Sequence, residues 1–133
     1  MTTIPEYIEA MEYALLHKAD RVDVQFSKNW FNQFPDIPAV FAFFLKGELY
    51  YVGEARNLHK NMFFIYHWKM KTERIRRERG YIPDVKVDYL KRLFTKEDLR
   101  LFKISFIKVE LGRKECQEFL VAKYKPKYNL LSQ

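Results

Sequence analysis

The longest unbroken apolar stretch lies at 39–45, where Ala-Val-Phe-Ala-Phe-Phe-Leu runs without a polar residue. A β-branched and aromatic run of that length predicts a strand covered on both faces. Lys46-Gly47-Glu48 interrupts it with a glycine able to take positive φ. Leu49-Tyr50-Tyr51-Val52 then pairs back as the second strand of a hairpin, and Gly53 is expected to end the sheet. Asn57 is placed to cap a helix from Leu58, apolar at Met62, Phe63, Ile65 and Tyr66 and charged beyond.

Earlier in the chain, Thr3 caps a helix with Pro5 in its first turn and Glu6 three residues on. Ile4, Ile8, Met11 and Leu15 recur at helical spacing and predict one packed face. Arg21 to Phe26 alternates polar with apolar, the pattern of a half-buried strand. Ser27 caps a short turn carrying Trp30, Phe31 and Phe34 ahead of the breaker Pro35-Asp36-Ile37-Pro38. Downstream, Gly80 and Pro83 end the long helix, and a short helix is expected within Asp84 to Phe94. Thr95-Lys96-Glu97-Asp98 reads as another capped start. A strand follows at Phe102 to Val109, then a helix from Arg113 to about Tyr124 begun at Gly112. This order predicts an α/β fold, a small and mainly antiparallel sheet flanked by helices, in a single domain spanning 1–133. Residues 1–36 form its N-terminal extension of helix and edge strand, and 37–131 its core.

The stretch Tyr51-Val52-Gly53-Glu54-Ala55-Arg56-Asn57-Leu58, with the hairpin before it and Lys125-Pro126-Lys127-Tyr128-Asn129 far downstream, resembles the GIY-YIG nuclease superfamily, as in the nuclease domain of the bacterial excision-repair incision subunit. Ala39-Val40-Phe41 stands where that family has Gly-Ile-Tyr. The resemblance implies a hydrolytic site built from two tyrosines, an arginine, a metal-binding glutamate and a closing asparagine. Those positions fall here on Phe41, Tyr51, Asn61, Gln117 and Asn129, of which only Tyr51 and Asn129 match. Phe41 has no hydroxyl, Asn61 no charge, and Gln117 offers a neutral amide where Mg²⁺ prefers carboxylate. A transition-state arginine in phosphoryl transfer is worth about 10³–10⁵ in rate. Glu118 is turned by roughly 100° on the helix from Gln117, and Glu115 lies two positions off the other way. The resemblance therefore implies a nuclease fold with degenerate catalytic positions and no cofactor.

Charge adds a partner class. Lys69, Lys71, Arg74, Arg76, Arg77 and Arg79 stand against Glu73 and Glu78, so over half of the net +7 falls within eleven residues. Such an excess beside a nuclease-like surface points to phosphate contacts through Lys60, Lys69, Lys71, Arg74, Arg76 and Arg77. A solvated helix face helped by pairs such as Glu73–Arg77 is the plainer alternative.

Composition sets outer bounds. At 48% hydrophobic and 17% aromatic the chain supports a real core. No run approaches the ~18 apolar residues of a membrane span, no secretory signal opens the sequence, and a cytoplasmic protein is expected. Cys116 is the single cysteine, which excludes an internal disulfide and multi-cysteine metal sites. His17, His59 and His67 form no ligand pair with spacing on one helix face, and no P-loop, Rossmann glycines, serine triad or zinc motif is present.

Three functions compete: an inactive nuclease-fold protein that binds nucleic acid, an active metal-dependent endonuclease with groups relocated around Glu118 (Mg²⁺ being required only there), and an interaction or inhibitor module for a nuclease. Exposure of Trp30, Phe31 and Phe34 would favour the last.

Overall fold

Strand β2 (Ala39–Leu45) is buried at every position, as its uninterrupted apolar run demands. The computed structural model describes residues 4–25, 27–80 and 99–130. In it β2 lies inside a four-stranded antiparallel sheet of order β1-β4-β2-β3, with β1 at Val22–Asp23, β3 at Glu48–Ala55 and β4 at Phe102–Lys108. Leu45 pairs with Glu48, so only Lys46 and Gly47 form the hairpin loop. Both have positive φ, 52° and 82°, the backbone that a two-residue type I′ turn requires.

Alternation along β2 feeds two cores. Phe41 and Phe43 join Tyr51, Trp30, Phe34 and Tyr128 on one face, beneath Leu58, Met62 and Ile65 of α3 (Leu58–Arg79). Val40, Ala42 and Phe44 join Val52 on the other, beneath Met11 of α1 (Ile4–Tyr13), the π turn Ala14–Lys18 with its Leu15 and Leu16, and Cys116 and Leu120 of α4 (Arg113–Tyr124). A bulge at Tyr50, where Phe43 faces Tyr51 but Phe44 faces Leu49, takes up one residue and keeps both faces in phase.

Four expectations need correction. The sheet does not end at Gly53: β3 continues to Ala55, with Ala55 opposite Ala39. Among the described residues of the strand expected over Arg21 to Phe26, Val22 and Asp23 pair, with one further bond from Val24 N–H to Phe102 O. Arg21 is drawn off instead, its guanidinium 3.8 Å from the centre of the Phe44 ring and donating to Leu16 O. The first helix widens into its π turn, and the buried Ser105 hydroxyl donates to Leu15 O at 2.8 Å. Trp30, Phe31 and Phe34, with Trp30 and Phe31 on α2 (Lys28–Asn32), are core residues rather than an exposed aromatic segment. A turn of helix too short to show a period cannot reveal its buried side from sequence. The Thr3 cap, Phe26, and the readings over 81–98 lie outside the described residues.

Glu12, on α1, is buried and ties this helix to α4. Its Oε2 accepts from Tyr124 Oη at 2.6 Å and pairs with Lys123 Nζ at 2.7 Å. Burial pushes the Glu12 carboxyl up, but the hydrogen bonds from Lys123 and Tyr124 outweigh it and hold the pKa below the usual carboxylate value. A depressed folded-state pKa gives stability that is complete above the unfolded carboxylate pKa and is lost as pH falls through the folded one. Parent and Glu12→Gln should thus differ most in urea midpoint near neutral pH and converge only as pH falls through the lowered folded-state pKa, below the ordinary carboxylate range. A gap unchanged between neutral pH and acid would remove Glu12 from this role.

Candidate functional site

Phe41 pairs with Gly53 across the hairpin, and its ring crosses directly over that glycine. A Cβ on Gly53 would meet Phe41 Cζ at 2.3 Å and both Cε atoms within 2.9 Å. The para carbon, where a tyrosine would carry its hydroxyl, is therefore the atom pressed on the glycine. Phe41 is 1% exposed, and Tyr51 lies beside it with ring centroids 6.2 Å apart, itself 7% exposed. Position 41 is filled by packing, and Tyr51 shares that core.

The outer edge of β3 converges on one peptide. Val52 N–H donates to Asn129 Oδ1 at 2.8 Å, while Asn129 Nδ2 donates back to Val52 O at 2.9 Å. Asn129 belongs to the short helix α5 (Lys127–Leu130), which follows the left-handed Lys125 that ends α4. Its carboxamide imitates a neighbouring strand. Gln117 of α4 adds a third bond, Nε2 to Val52 O at 3.1 Å, so both lone pairs of that carbonyl are used. One turn earlier on α4, Arg113 donates from Nε to Glu54 Oε2 at 3.2 Å and from Nη1 to the carbonyls of Val109 and Glu110. Sequence reading missed Arg113 and Glu54. The spacing of four between Arg113 and Gln117 was the available sign, since it sets both on one helix face.

This donor set does not fit a divalent cation. Gln117 directs its amide nitrogen at Val52, Asn129 is engaged at both ends, and the Glu54 carboxylate on β3 faces a guanidinium. Among the described residues no group of three or more His, Cys, Asp or Glu side chains could hold a metal ion. Glu118 is exposed, one residue further along α4.

Asn61 is partly buried in the second turn of α3, where its N–H continues the helix by donating to Asn57 O. The start of α3 is occupied by the chain itself: Leu58 N–H donates to Ile37 O, His59 N–H to Pro35 O and Lys60 N–H to the Asn57 side chain. These bonds leave little for a phosphate at that helix end. His59 Nδ1 lies 3.0 Å from Phe34 O, which fixes the proton on Nδ1 because a carbonyl only accepts. His17 and His67 are exposed. Burial pushes the Cys116 thiol up to about 11, so it stays protonated and unreactive.

The basic residues of α3 separate into two groups. Lys69 is buried and binds Glu73 at 2.7 Å, a correction to its reading as a phosphate contact. Glu73 thus turns back to Lys69, whose hydrogen bond is the main cause lowering its carboxyl pKa, with Arg76 and Arg100 adding to the effect. Arg76 belongs to this side, because 200° of helix rotation separates it from Arg74. On the opposite, solvent-facing side His67, Met70, Lys71, Arg74 and Arg77 line one groove, with exposed Lys60 three turns of helix before Lys71.

No protein-family model and no curated protein matches the sequence. Among solved structures the chain is similar to the GIY-YIG N-terminal endonuclease domain of UvrC from Thermotoga maritima. One tyrosine-to-phenylalanine point mutant of that domain, bound to the catalytic divalent cation, aligns at TM-score 0.48 and 22% identity over 77% of this chain and 98% of that one. The same domain bound to magnesium aligns at TM-score 0.45 and 21% identity over 77% and 99%. The hairpin that opens onto α3, with α4 and the asparagine of α5 closing on the Tyr51-Val52-Gly53 strand, is the arrangement expected from the sequence resemblance.

Proposed function

We propose that this protein is a nuclease-fold domain that does not hydrolyse phosphodiesters and instead binds nucleic acid through the solvent-facing side of α3. The observation that carries the first half is the commitment of Gln117 and Asn129 to the Val52 peptide. Hydrolysis needs a deprotonated water, a counter-charge for the phosphorane and help for the leaving oxygen. The groups at 41, 61 and 117 supply an aromatic ring and two neutral amides. The second half rests on the groove at Lys71, Arg74 and Arg77, whose lining among the described residues is cationic and carries no acidic side chain.

Supercoiled plasmid incubated with Mg²⁺ or Mn²⁺ should show no nicking above a buffer control. Binding to duplex DNA should weaken with salt at a log–log slope of about −0.9 per contacted phosphate. Replacing Lys71, Arg74 and Arg77 by Gln should reduce affinity and flatten the slope by about one unit per lost contact. Arg76→Gln, on the Glu73 side, should change it far less. Nicking abolished by Tyr51→Phe or Glu118→Ala would reverse the first half. A triple variant that binds like the parent would reverse the second.

A further inference from the structure

Cations alone would serve any polyanion, but the outward side of α3 is not only cationic. Phe63 is 45% exposed, Phe64 39% and Met70 45%, and they alternate with Lys60, His67, Lys71 and Arg74 along the same side of the helix. Positions 60, 63, 67, 71 and 74 advance by three or four residues, so they form one line opposite the buried Leu58, Met62 and Ile65. From Lys60 to Arg77 this line is about 25 Å long at 1.5 Å per residue. The aromatic part is held in place from behind. Phe63 meets the buried Phe31 edge-on at 5.1 Å and stacks with His67 at 6.1 Å and 28°. Lys71 Nζ sits 4.9 Å from the centre of the Trp68 ring.

Duplex nucleic acid shows phosphates on its outside and keeps the faces of its bases inside the stack. Exposed rings next to a cationic groove have nothing to stack on in such a ligand. A single strand presents both, and stacking on aromatic side chains tolerates any base because every base has a π-face. Resting on the nucleic-acid reading above, we infer that α3 is a platform for single-stranded nucleic acid, with bases stacked on Phe63 and His67 and the backbone held by Lys71, Arg74 and Arg77.

The test is fluorescence anisotropy at low salt with three labelled probes: an oligothymidylate that spans α3, an abasic single strand of equal length, and a duplex. The oligothymidylate should bind about tenfold more tightly than the abasic strand, the size expected of one stacked base, and more tightly than the duplex. Phe63→Leu, which keeps an apolar contact for Phe31, should remove most of that preference without changing duplex affinity, while His67→Ala, within the groove lining, should weaken oligothymidylate binding more than duplex binding. Thermal melting verifies that both variants fold. Equal binding of all three probes, or aromatic variants that bind like the parent, would overturn the platform while leaving polyanion binding intact. No binding of any probe would overturn the nucleic-acid reading itself, as would a protein ligand that competes away the oligothymidylate and needs Phe63 but none of the three cations.

Discussion

Gly53→Ala should lower stability by about 1–3 kcal/mol or more, the cost of forcing an added methyl into a packed core. The new Cβ would lie 2.3–2.9 Å from three atoms of the Phe41 ring. The ring has nowhere to go, being 1% exposed and bounded by Phe43 at 5.8 Å and Tyr51 at 6.2 Å between centroids. Gly53 lies in extended β3 rather than at positive φ, so its need is for space and not for backbone freedom. That distinction gives the decisive second measurement. Phe41→Leu alone should be destabilising through lost burial, yet combined with Gly53→Ala it should recover part of the alanine penalty. Urea unfolding of the four proteins gives the coupling energy. Additive losses, or a Gly53→Ala protein within about 0.5 kcal/mol of the parent, would show that the core yields more easily than its packing indicates.

The second large effect is expected at Asn129. Asn129→Leu removes both bonds to Val52 and strands its N–H, while Val52 O keeps Gln117. Each net hydrogen bond is worth about 0.5–1.5 kcal/mol, and an orphaned polar group costs about 1–3 kcal/mol, so a loss of about 2–3 kcal/mol is expected. Asn129→Asp should also destabilise, because it replaces the donating amide by a carboxylate oxygen facing the Val52 carbonyl. Gln117→Glu sets up the same repulsion from α4. This bears on any attempt to restore hydrolysis by Phe41→Tyr, Asn61→Arg and Gln117→Glu together: the glutamate must turn away from Val52 before it can bind a metal. Denaturation midpoints for Asn129→Leu indistinguishable from the parent would show that water replaces the carboxamide at no cost.

Much of this architecture was legible before the coordinates. The run at 39–45 predicted a strand covered on both faces, Asn57 predicted the start of α3, and Gly112, at φ 84°, predicted that of α4. These features rest on local rules: apolar continuity, side-chain capping and positive φ. What escaped depends on contacts distant in sequence. Arg21 leaves its strand for Phe44, and Trp30, Phe31 and Phe34 are buried by elements that arrive later in the chain. At the candidate site, the positions of Gln117 and Asn129 could be named, but not that both meet the peptide of Val52. The division of the α3 cations was half visible. Helical rotation separates Arg76 from Arg74, whereas the burial of Lys69 against Glu73 needed the surrounding structure.

The bond between Val52 and Asn129 closes across 77 residues. A ribosome adding about 5–20 residues per second leaves the outer edge of β3 bare for roughly 4–15 s after it is made. Through that interval the nascent hairpin carries an open strand edge beside one of the most apolar runs in the chain, a template for pairing with another chain. The asparagine that ends this exposure governs solubility during synthesis as well as stability afterwards. Its replacement should therefore reduce soluble yield on expression by more than the stability loss alone would account for.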